Sequence, residues 1–150
     1  MSLLNSLAEE LKAAMRAKDS LKLEALRAIK SAVLLAKTAT AGDNDLTEEE
    51  EIKLLQKLVK QRKDSAVIFK EQNRDDLATP EEAQAEVITQ FLPKQLSQQE
   101  IEQIVDEIVS KTRAQGMKDM GKVMGMASKE MAGKADGKTI STIVKQKLNG

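Results

Sequence analysis

The sequence lacks most of the side chains on which catalysis and metal binding depend. Its 150 residues include no His, no Cys, no Trp, no Tyr and only two Phe. Without His and Cys there is no zinc finger, no cysteine nucleophile and no imidazole base near neutral pH. Without Tyr and Trp the chain lacks aromatic platforms for stacking single-stranded bases. We therefore expect no catalytic residue, no metal site and no cofactor.

Long apolar runs and strand patterns are missing as well. No apolar stretch approaches the roughly 18 residues of a membrane-spanning helix. The first residues, MSLLNSLAEELKAAM, carry acids and lack the basic region and cleavage site of a secretory signal. No run of Val, Ile, Thr and aromatic residues alternates with polar ones. We predict an all-α protein that resides in the cytoplasm and does not bind a membrane.

Apolar residues recur at helical spacing along nearly the whole chain. The first helix is expected over residues 2–17, with Leu4, Leu7, Leu11 and Met15 on its apolar face. Polar capping residues and a proline predict further helix starts at Asp19 or Ser20, Thr47, Thr79–Pro80, Ser97 and Asp136. Composition also predicts a loop over residues 39–45, helix ends near Asn73 and at Gly116, and a sixth helix between Met120 and Met131.

A proline interrupts the helical pattern in the segment Leu92-Pro93-Lys94-Gln95-Leu96. Proline cannot continue a helix, and it also biases the residue before it away from helical geometry. We place a domain boundary near Gln95. The chain is then predicted to contain an N-terminal unit of four helices, residues 1–95, and a C-terminal three-helix bundle, residues 96–150.

The formal net charge of zero conceals an uneven distribution. Residues 111–150 hold nine basic and three acidic side chains, a net charge of +6. This excess suits a surface that faces phosphate groups, although a solvated lysine-rich face is an equally good reading of the charge alone. A second basic stretch lies on the third predicted helix. The candidate RNA-binding residues are therefore Lys118, Lys122, Lys134 and Lys138, followed by Lys60, Arg62, Lys63 and Arg74.

Arg62 differs from the other candidates because it falls on the apolar seam of its helix, between Val59 and Ala66. Such an arginine pairs with a buried acid, packs through its methylene stem or binds a ligand, and the first two readings are the more common.

The segment Gly133–Lys138 is glycine-rich and basic, but its glycines do not have the spacing of a nucleotide-binding phosphate loop. It predicts a turn in which Asp136 caps the last helix. A helix N-terminus between Lys134 and Lys138 could also hold a backbone phosphate of RNA.

Methionines cluster between Met117 and Met131. Met120 and Met124 belong on the core face of their helix, where a flexible side chain fills gaps. Met126 lies off that face, and it could be exposed together with Met117. The methionines therefore predict either a methionine-packed core or an adaptable surface for a protein partner.

Six ordered segments of the chain resemble those of the GatB/YqeY family. They are Leu26-Arg27-Ala28-Ile29-Lys30-Ser31-Ala32, Lys60-Gln61-Arg62-Lys63-Asp64-Ser65, Asn73-Arg74-Asp75-Asp76-Leu77, Phe91-Leu92-Pro93-Lys94-Gln95-Leu96, Asp119-Met120-Gly121-Lys122-Val123-Met124 and Gly133-Lys134-Ala135-Asp136-Gly137. The resemblance covers essentially the whole length. It implies two helical bundles, of the kind found as the C-terminal tail of GatB, a subunit of a tRNA-dependent amidotransferase. In that enzyme the tail resembles a tRNA-binding appendage.

Because of the amidotransferase, the family is also classified as a carbon–nitrogen ligase with glutamine as amido donor. The amidase and kinase-like sites of that enzyme, however, lie outside this module. The leading hypothesis is therefore a tRNA-associated binding protein that is not itself an enzyme and does not bind DNA. One alternative is an adaptor that docks on a synthetase or amidotransferase through Met117, Met126 and the Pro93 hinge. The other is a component of the ligase without its own active site.

Overall fold

The computed structural model describes residues 3–39 and 45–149, and throughout these ranges it is helical without strands. The helices are α1 Leu3–Ala17, α2 Ser20–Ala39, α3 Glu48–Glu71, α4 Asp75–Thr89, α5 Gln98–Thr112, α6 Met120–Glu130 and α7 Gly137–Asn149, and a 3₁₀ turn, Met117–Asp119, precedes α6. The predicted all-α fold is confirmed. The expected helical residue 2 and residues 40–44 of the expected loop lie outside the described residues.

None of the described helices combines the length and the apolar character needed to cross a membrane.

Polar side chains begin four of the helices at the residues that the sequence indicates. Thr47 and Ser97 each accept a hydrogen bond from the backbone N–H three residues on, and the glutamate at that position accepts one in return. Asp19 Oδ1 accepts from Lys22 N at 3.1 Å, and Asp136 Oδ1 accepts from Thr139 N at 2.6 Å. These bonds satisfy amide groups that a helix leaves unpaired at its start.

Three helices end on a residue other than glycine in the left-handed conformation: Lys18, Asn73 and Arg113, with φ between 55° and 60°. In each case the next residue donates its N–H to the carbonyl five positions back, as Ala114 N does to Val109 O. This Schellman-type closure satisfies the last carbonyls of the helix. The predicted end of α5 at Gly116 is therefore wrong, because Arg113 makes the reversal and Gly116 precedes the 3₁₀ turn instead.

The predicted start of α4 at Thr79–Pro80 is also wrong. The helix begins at Asp75, and Pro80 lies inside it. Asp75 and Asp76 occupy the first turn, where their charges complement the helix dipole. Proline in the second turn removes only one helical hydrogen bond, and the burial of α4 against its neighbours compensates for this loss.

The first compact unit, residues 1–92, contains α1 to α4. Its core combines Leu7, Leu26, Ile29, Leu55 and Ile88, all at most 2% exposed, with further apolar residues from the same helices. Met15 was expected on the apolar face of α1 but is 58% exposed, and Ala14 is buried in its place. The core face of α1 thus turns towards Ala14 at the end of the helix.

The second compact unit, residues 93–150, contains α5 to α7 and the 3₁₀ turn. Val105, Val123, Met131 and Val144 lie at the centre of its core and are fully buried. Met126 was expected to be exposed, but it is half-buried and packs against this core. Most of the methionine cluster therefore serves packing.

The division between the units falls at Leu92/Pro93, a few residues before the boundary placed near Gln95. Gln95 Nε2 donates to Gly133 O at 2.8 Å, and Leu96 N donates to Lys134 O at 2.9 Å. These bonds attach the segment after Pro93 to the turn between α6 and α7. Gln95 therefore belongs with the second unit.

Candidate nucleic-acid interface

The two units differ in how many of their basic side chains form ion pairs. In the first unit six of the fourteen basic side chains form ion pairs with nearby carboxylates: Lys22–Glu10, Lys37–Asp45, Lys53–Glu49, Lys60–Asp64, Lys70–Glu82 and Arg74–Asp76. Among the described residues of the second unit, the one ion pair is Lys147–Asp106, at 3.2 Å. The positive charge of α6 and α7 is therefore largely uncompensated by local carboxylates.

The four first-choice candidates all belong to this uncompensated group. Lys118, Lys122, Lys134 and Lys138 are exposed, and within the described residues none of them has a carboxylate within ion-pair distance. Lys118 and Lys122 flank the start of α6, whereas Lys134 and Lys138 flank the start of α7. The lysines thus form two pairs rather than one cluster.

The separation of the two pairs follows from the length of α6. An α-helix rises 1.5 Å per residue, so the 11 residues of α6 span about 16 Å. A strip of this length matches several consecutive phosphates of a nucleic-acid strand, which rises about 3.4 Å per nucleotide in duplex DNA. The arrangement suits contacts with an extended phosphate backbone better than capture of a single phosphate.

The turn that carries Lys134 has a fixed backbone. Gly133 adopts a left-handed φ of 77°, and its carbonyl accepts the hydrogen bond from Gln95. Ala135 is buried, and the Asp136 carboxylate accepts a hydrogen bond from the backbone N–H of Thr139 at the start of α7. The carboxylate of Asp136 therefore takes the place that a phosphate would occupy at this helix N-terminus, which favours the capping interpretation of the turn.

Two further lysines extend the strip, and the sequence analysis missed them. Lys129 on α6 and Lys145 on α7 are exposed and have no carboxylate partner among the described residues. Lys145 lies seven residues after Lys138, which places both on the same face of α7. That spacing was the signal in the sequence that could have identified Lys145. We refer to these six exposed lysines on or beside α6 and α7, Lys118, Lys122, Lys129, Lys134, Lys138 and Lys145, as the lysine strip.

The face of α6 that carries Lys122 and Lys129 also contains two exposed glycines. A Cβ atom added at Gly121 or Gly125 would meet nothing within 4 Å. Packing within the chain therefore does not require a glycine at either position.

The second-choice candidates are less available than the lysine strip. Lys60 Nζ lies 2.7 Å from Asp64 Oδ2, and Arg74 makes a two-pronged contact with Asp76, with both N–O distances at 3.0 Å. The hydrogen bond from Arg74 lowers the pKa of the Asp76 carboxyl below its ordinary value. Lys63 is exposed without a carboxylate partner within the part of the chain that the structure describes. The structure does not bring these residues into one unpaired cluster.

Among the described residues, Arg62 has no acid as a partner, and two of its three guanidinium nitrogens donate hydrogen bonds to neutral acceptors. Its Nε donates to Gln84 Oε1 at 3.0 Å, and its Nη1 donates to the carbonyl of Leu58 at 3.2 Å. The sequence left three interpretations for this seam arginine: pairing with a buried acid, packing through its methylene stem, or binding a ligand. The structure instead provides an uncharged amide, because Gln84 is only 8% exposed and carries no charge that would need to be neutralised.

The acidic side chains of the second unit are concentrated on α5. Glu100, Glu102, Asp106 and Glu107 lie there. The hydrogen bonds from Ser97 lower the pKa of the Glu100 carboxyl below its ordinary value of 4.5. Among the described residues, no three acidic side chains are grouped so that they could hold a metal ion.

The fold and this surface together define a class: an all-helical protein whose second unit presents unpaired lysines. Comparison with known proteins identifies the family within that class. The chain belongs to the family described as Yqey-like protein, whose sequence pattern it matches over residues 4–148. The predicted resemblance is thereby confirmed.

The individual relatives fall into two groups. A glutamyl-tRNA(Gln) amidotransferase subunit from Thermococcus gammatolerans is 40% identical over 73 residues, which cover 46% of this chain and 12% of that protein. Altered inheritance of mitochondria protein 41 from Clavispora lusitaniae is 41% identical over 91 residues, 61% of this chain and 52% of that protein. The Saccharomyces cerevisiae protein of the same name is 30% identical over 133 residues, 89% and 70% respectively. The chain therefore spans about half or less of the first two relatives.

Proposed function

We propose that this chain is a tRNA-associated binding protein that contacts the phosphate backbone through the lysine strip. The observation that carries the proposal is the absence of carboxylate partners along the strip among the described residues, whereas six basic side chains of the first unit are held in ion pairs. Unpaired lysines can neutralise phosphates without first breaking an ion pair. The name of the amidotransferase relatives, which specifies tRNA, supports the choice of nucleic acid.

In this proposal the protein acts in the cytoplasm in association with tRNA-dependent amidation or aminoacylation. It binds tRNA and has no catalytic activity of its own. The yeast relatives carry the word mitochondrial in their names, so location needs a direct test by fractionation. Catalysis is tested by incubating the purified protein with misacylated tRNA, glutamine and ATP. We expect no amide product, and its formation by the isolated chain would contradict this part of the proposal.

The decisive experiment is filter binding of bulk tRNA at low salt by a variant with Lys118, Lys122, Lys134 and Lys138 changed to Glu. A matched control reverses four exposed lysines of the first unit, Lys12, Lys30, Lys53 and Lys57, with the same change in net charge. We expect the first variant to lose binding and the control to retain most of it. Equal losses would show that only net charge matters, and an absence of binding by the parent would refute the proposal.

The adaptor hypothesis keeps one supporting observation. Met117 is 44% exposed and could contact a protein partner, whereas Met126 packs against the core and is not available. A synthetase or amidotransferase that binds the purified protein after nuclease treatment, and binds Met117→Lys less well, would favour this alternative over the RNA-binding proposal.

A further inference from the structure

The packing of α3 against α4 contains a cation that no carboxylate neutralises. Arg62 is half-buried and donates hydrogen bonds to the amide oxygen of Gln84 and to the backbone carbonyl of Leu58. Both acceptors are neutral. Among the described residues, the guanidinium has no carboxylate within ion-pair distance.

This arrangement is unusual for an arginine that is partly removed from water. A buried or half-buried cation is ordinarily compensated by an acid, because an uncompensated charge is costly to desolvate. By contrast, Arg74 of the same unit, which is exposed, is paired with Asp76 through two contacts at 3.0 Å. Glutamine at position 84 therefore leaves the positive charge of Arg62 intact while fixing its orientation.

The guanidinium also retains free donors on an accessible side. Nη2 has no hydrogen-bond partner among the described residues, and no buried side-chain nitrogen of the described chain lacks one. Nη2 must therefore remain accessible to solvent. Because the other two nitrogens are already held, little side-chain freedom is lost when Nη2 donates to a ligand.

We propose that Arg62, held by Gln84 and Leu58, is a preoriented binding site for a phosphate group in the first unit. The planar guanidinium, with its several N–H donors, matches the oxygens of a phosphate better than a lysine does.

This site is separate in sequence and in fold unit from the lysine strip. If the phosphate belongs to tRNA, the inference rests on the proposed function and adds a contact from the first unit. If the phosphate is a free ion or a small phosphorylated molecule, the inference stands independently of RNA binding. The experiment has to distinguish these two sources.

The substitution Gln84→Glu tests the idea with minimal change of shape. It supplies a carboxylate to the same Nε and neutralises Arg62 without removing the hydrogen bond. Gln61→Glu is the matched control, because it adds the same charge at an exposed position next to Arg62. If Gln84→Glu lowers the thermal midpoint, Arg62→Lys replaces it, since lysine keeps the charge but lacks the planar donor set.

The first readout is the side-chain Nε–H signal of Arg62 in NMR during titration with inorganic phosphate at constant ionic strength. The other arginines, Arg16, Arg27, Arg74 and Arg113, serve as internal references. We expect a saturable shift confined to Arg62 in the parent and in Gln61→Glu, with at least tenfold weaker binding in Gln84→Glu. An unresponsive Arg62 in the parent, or equal affinity in both variants, would overturn the inference.

The second readout is tRNA binding by the same proteins. Loss of affinity in Gln84→Glu, together with a salt dependence that is shallower by about one phosphate contact, identifies RNA as the source of the phosphate. Unchanged tRNA binding, with inorganic phosphate binding lost, identifies a small ligand. The lysine-strip variant should retain the Arg62 response to inorganic phosphate, so a failure of the proposed function leaves this test intact.

Discussion

Replacement of Gly125 by alanine should stabilise the second unit. Gly125 is in the middle of α6, and an added Cβ would meet nothing within 4 Å. Glycine in a helix interior is less stable than alanine because its backbone loses more freedom on folding. The structure offers no close contact within the chain that would offset this gain.

The expected gain is about 0.8–1 kcal/mol in the free energy of unfolding, which is the full difference between the helix propensities of alanine and glycine. Gly121→Ala should give a smaller gain, because Gly121 is the second residue of α6, where the helix is least constrained. Gly116→Ala should destabilise instead. Its φ of 142° lies in a region that essentially only glycine adopts, so we expect a loss of roughly 1–3 kcal/mol.

Urea denaturation followed by far-ultraviolet circular dichroism measures these changes, since a chain without Trp or Tyr has little intrinsic fluorescence. Gly116→Ala is the control for the substitution itself, because open space surrounds both positions and only the backbone conformation differs. A loss of stability in Gly125→Ala comparable to that in Gly116→Ala would refute the reasoning. It would mean that α6 does not have this exposed helical geometry at Gly125.

Three other predictions concern the caps, the core and acid stability. Ser97→Ala should lower the free energy of unfolding by about 0.5–2 kcal/mol through loss of the capping box, and Ser97→Thr should restore it, as urea midpoints will show. Ile88→Ala should cost about 2–5 kcal/mol because Ile88 is fully buried, whereas Leu35→Ala, at a 72% exposed position, should change stability by less than about 0.5 kcal/mol in the same assay. The pKa of Glu100 is lowered in the folded state. The ionised carboxylate therefore stabilises the fold fully above pH 4.5, and this stabilisation is lost as the pH falls through the folded-state pKa. An acid titration of Glu100→Gln should therefore show a weaker loss of stability below that pH than the parent does, and identical curves would contradict the assignment.

Local capping chemistry explains why much of the fold could be predicted from the sequence. Thr47, Ser97 and Asp136 begin helices as expected because their side-chain oxygens accept hydrogen bonds from amides only three residues away. Such bonds depend on nearby residues and not on distant packing. The same locality explains the correct interruption at Pro93.

The errors arose where tertiary packing or an unusual backbone conformation decided the outcome. Pro80 has the signature of a first helical residue, yet α4 starts five residues earlier, with Asp75 and Asp76 in its first turn. Arg113 adopts a left-handed conformation that propensity assigns to glycine. Met126 is half-buried and packs against the core of the second unit, although it lies off the main apolar face of α6. Helix propensity and residue spacing alone do not distinguish these outcomes from the expected ones.

The sequence predicted the positive charge of the candidate site, but it could not predict which basic side chains form ion pairs. The basic excess of residues 111–150 is visible in the sequence, whereas the lack of carboxylate partners for Lys118 and Lys134 among the described residues depends on the fold. The identity of the Arg62 partner depended on the packing of α3 against α4, because Gln84 lies 22 positions away. Long-range contacts therefore supplied what the sequence pattern could not.

The most direct test of the central claim is the salt dependence of tRNA binding. The logarithm of the binding constant is measured against the logarithm of salt concentration for the parent and for the Lys→Gln variant at Lys118, Lys122, Lys134 and Lys138. Loss of four phosphate contacts should reduce the magnitude of the slope by about 2.8–3.6, since each contact contributes about 0.7–0.9. An unchanged slope in the variant would contradict the claim that the lysine strip binds the phosphate backbone.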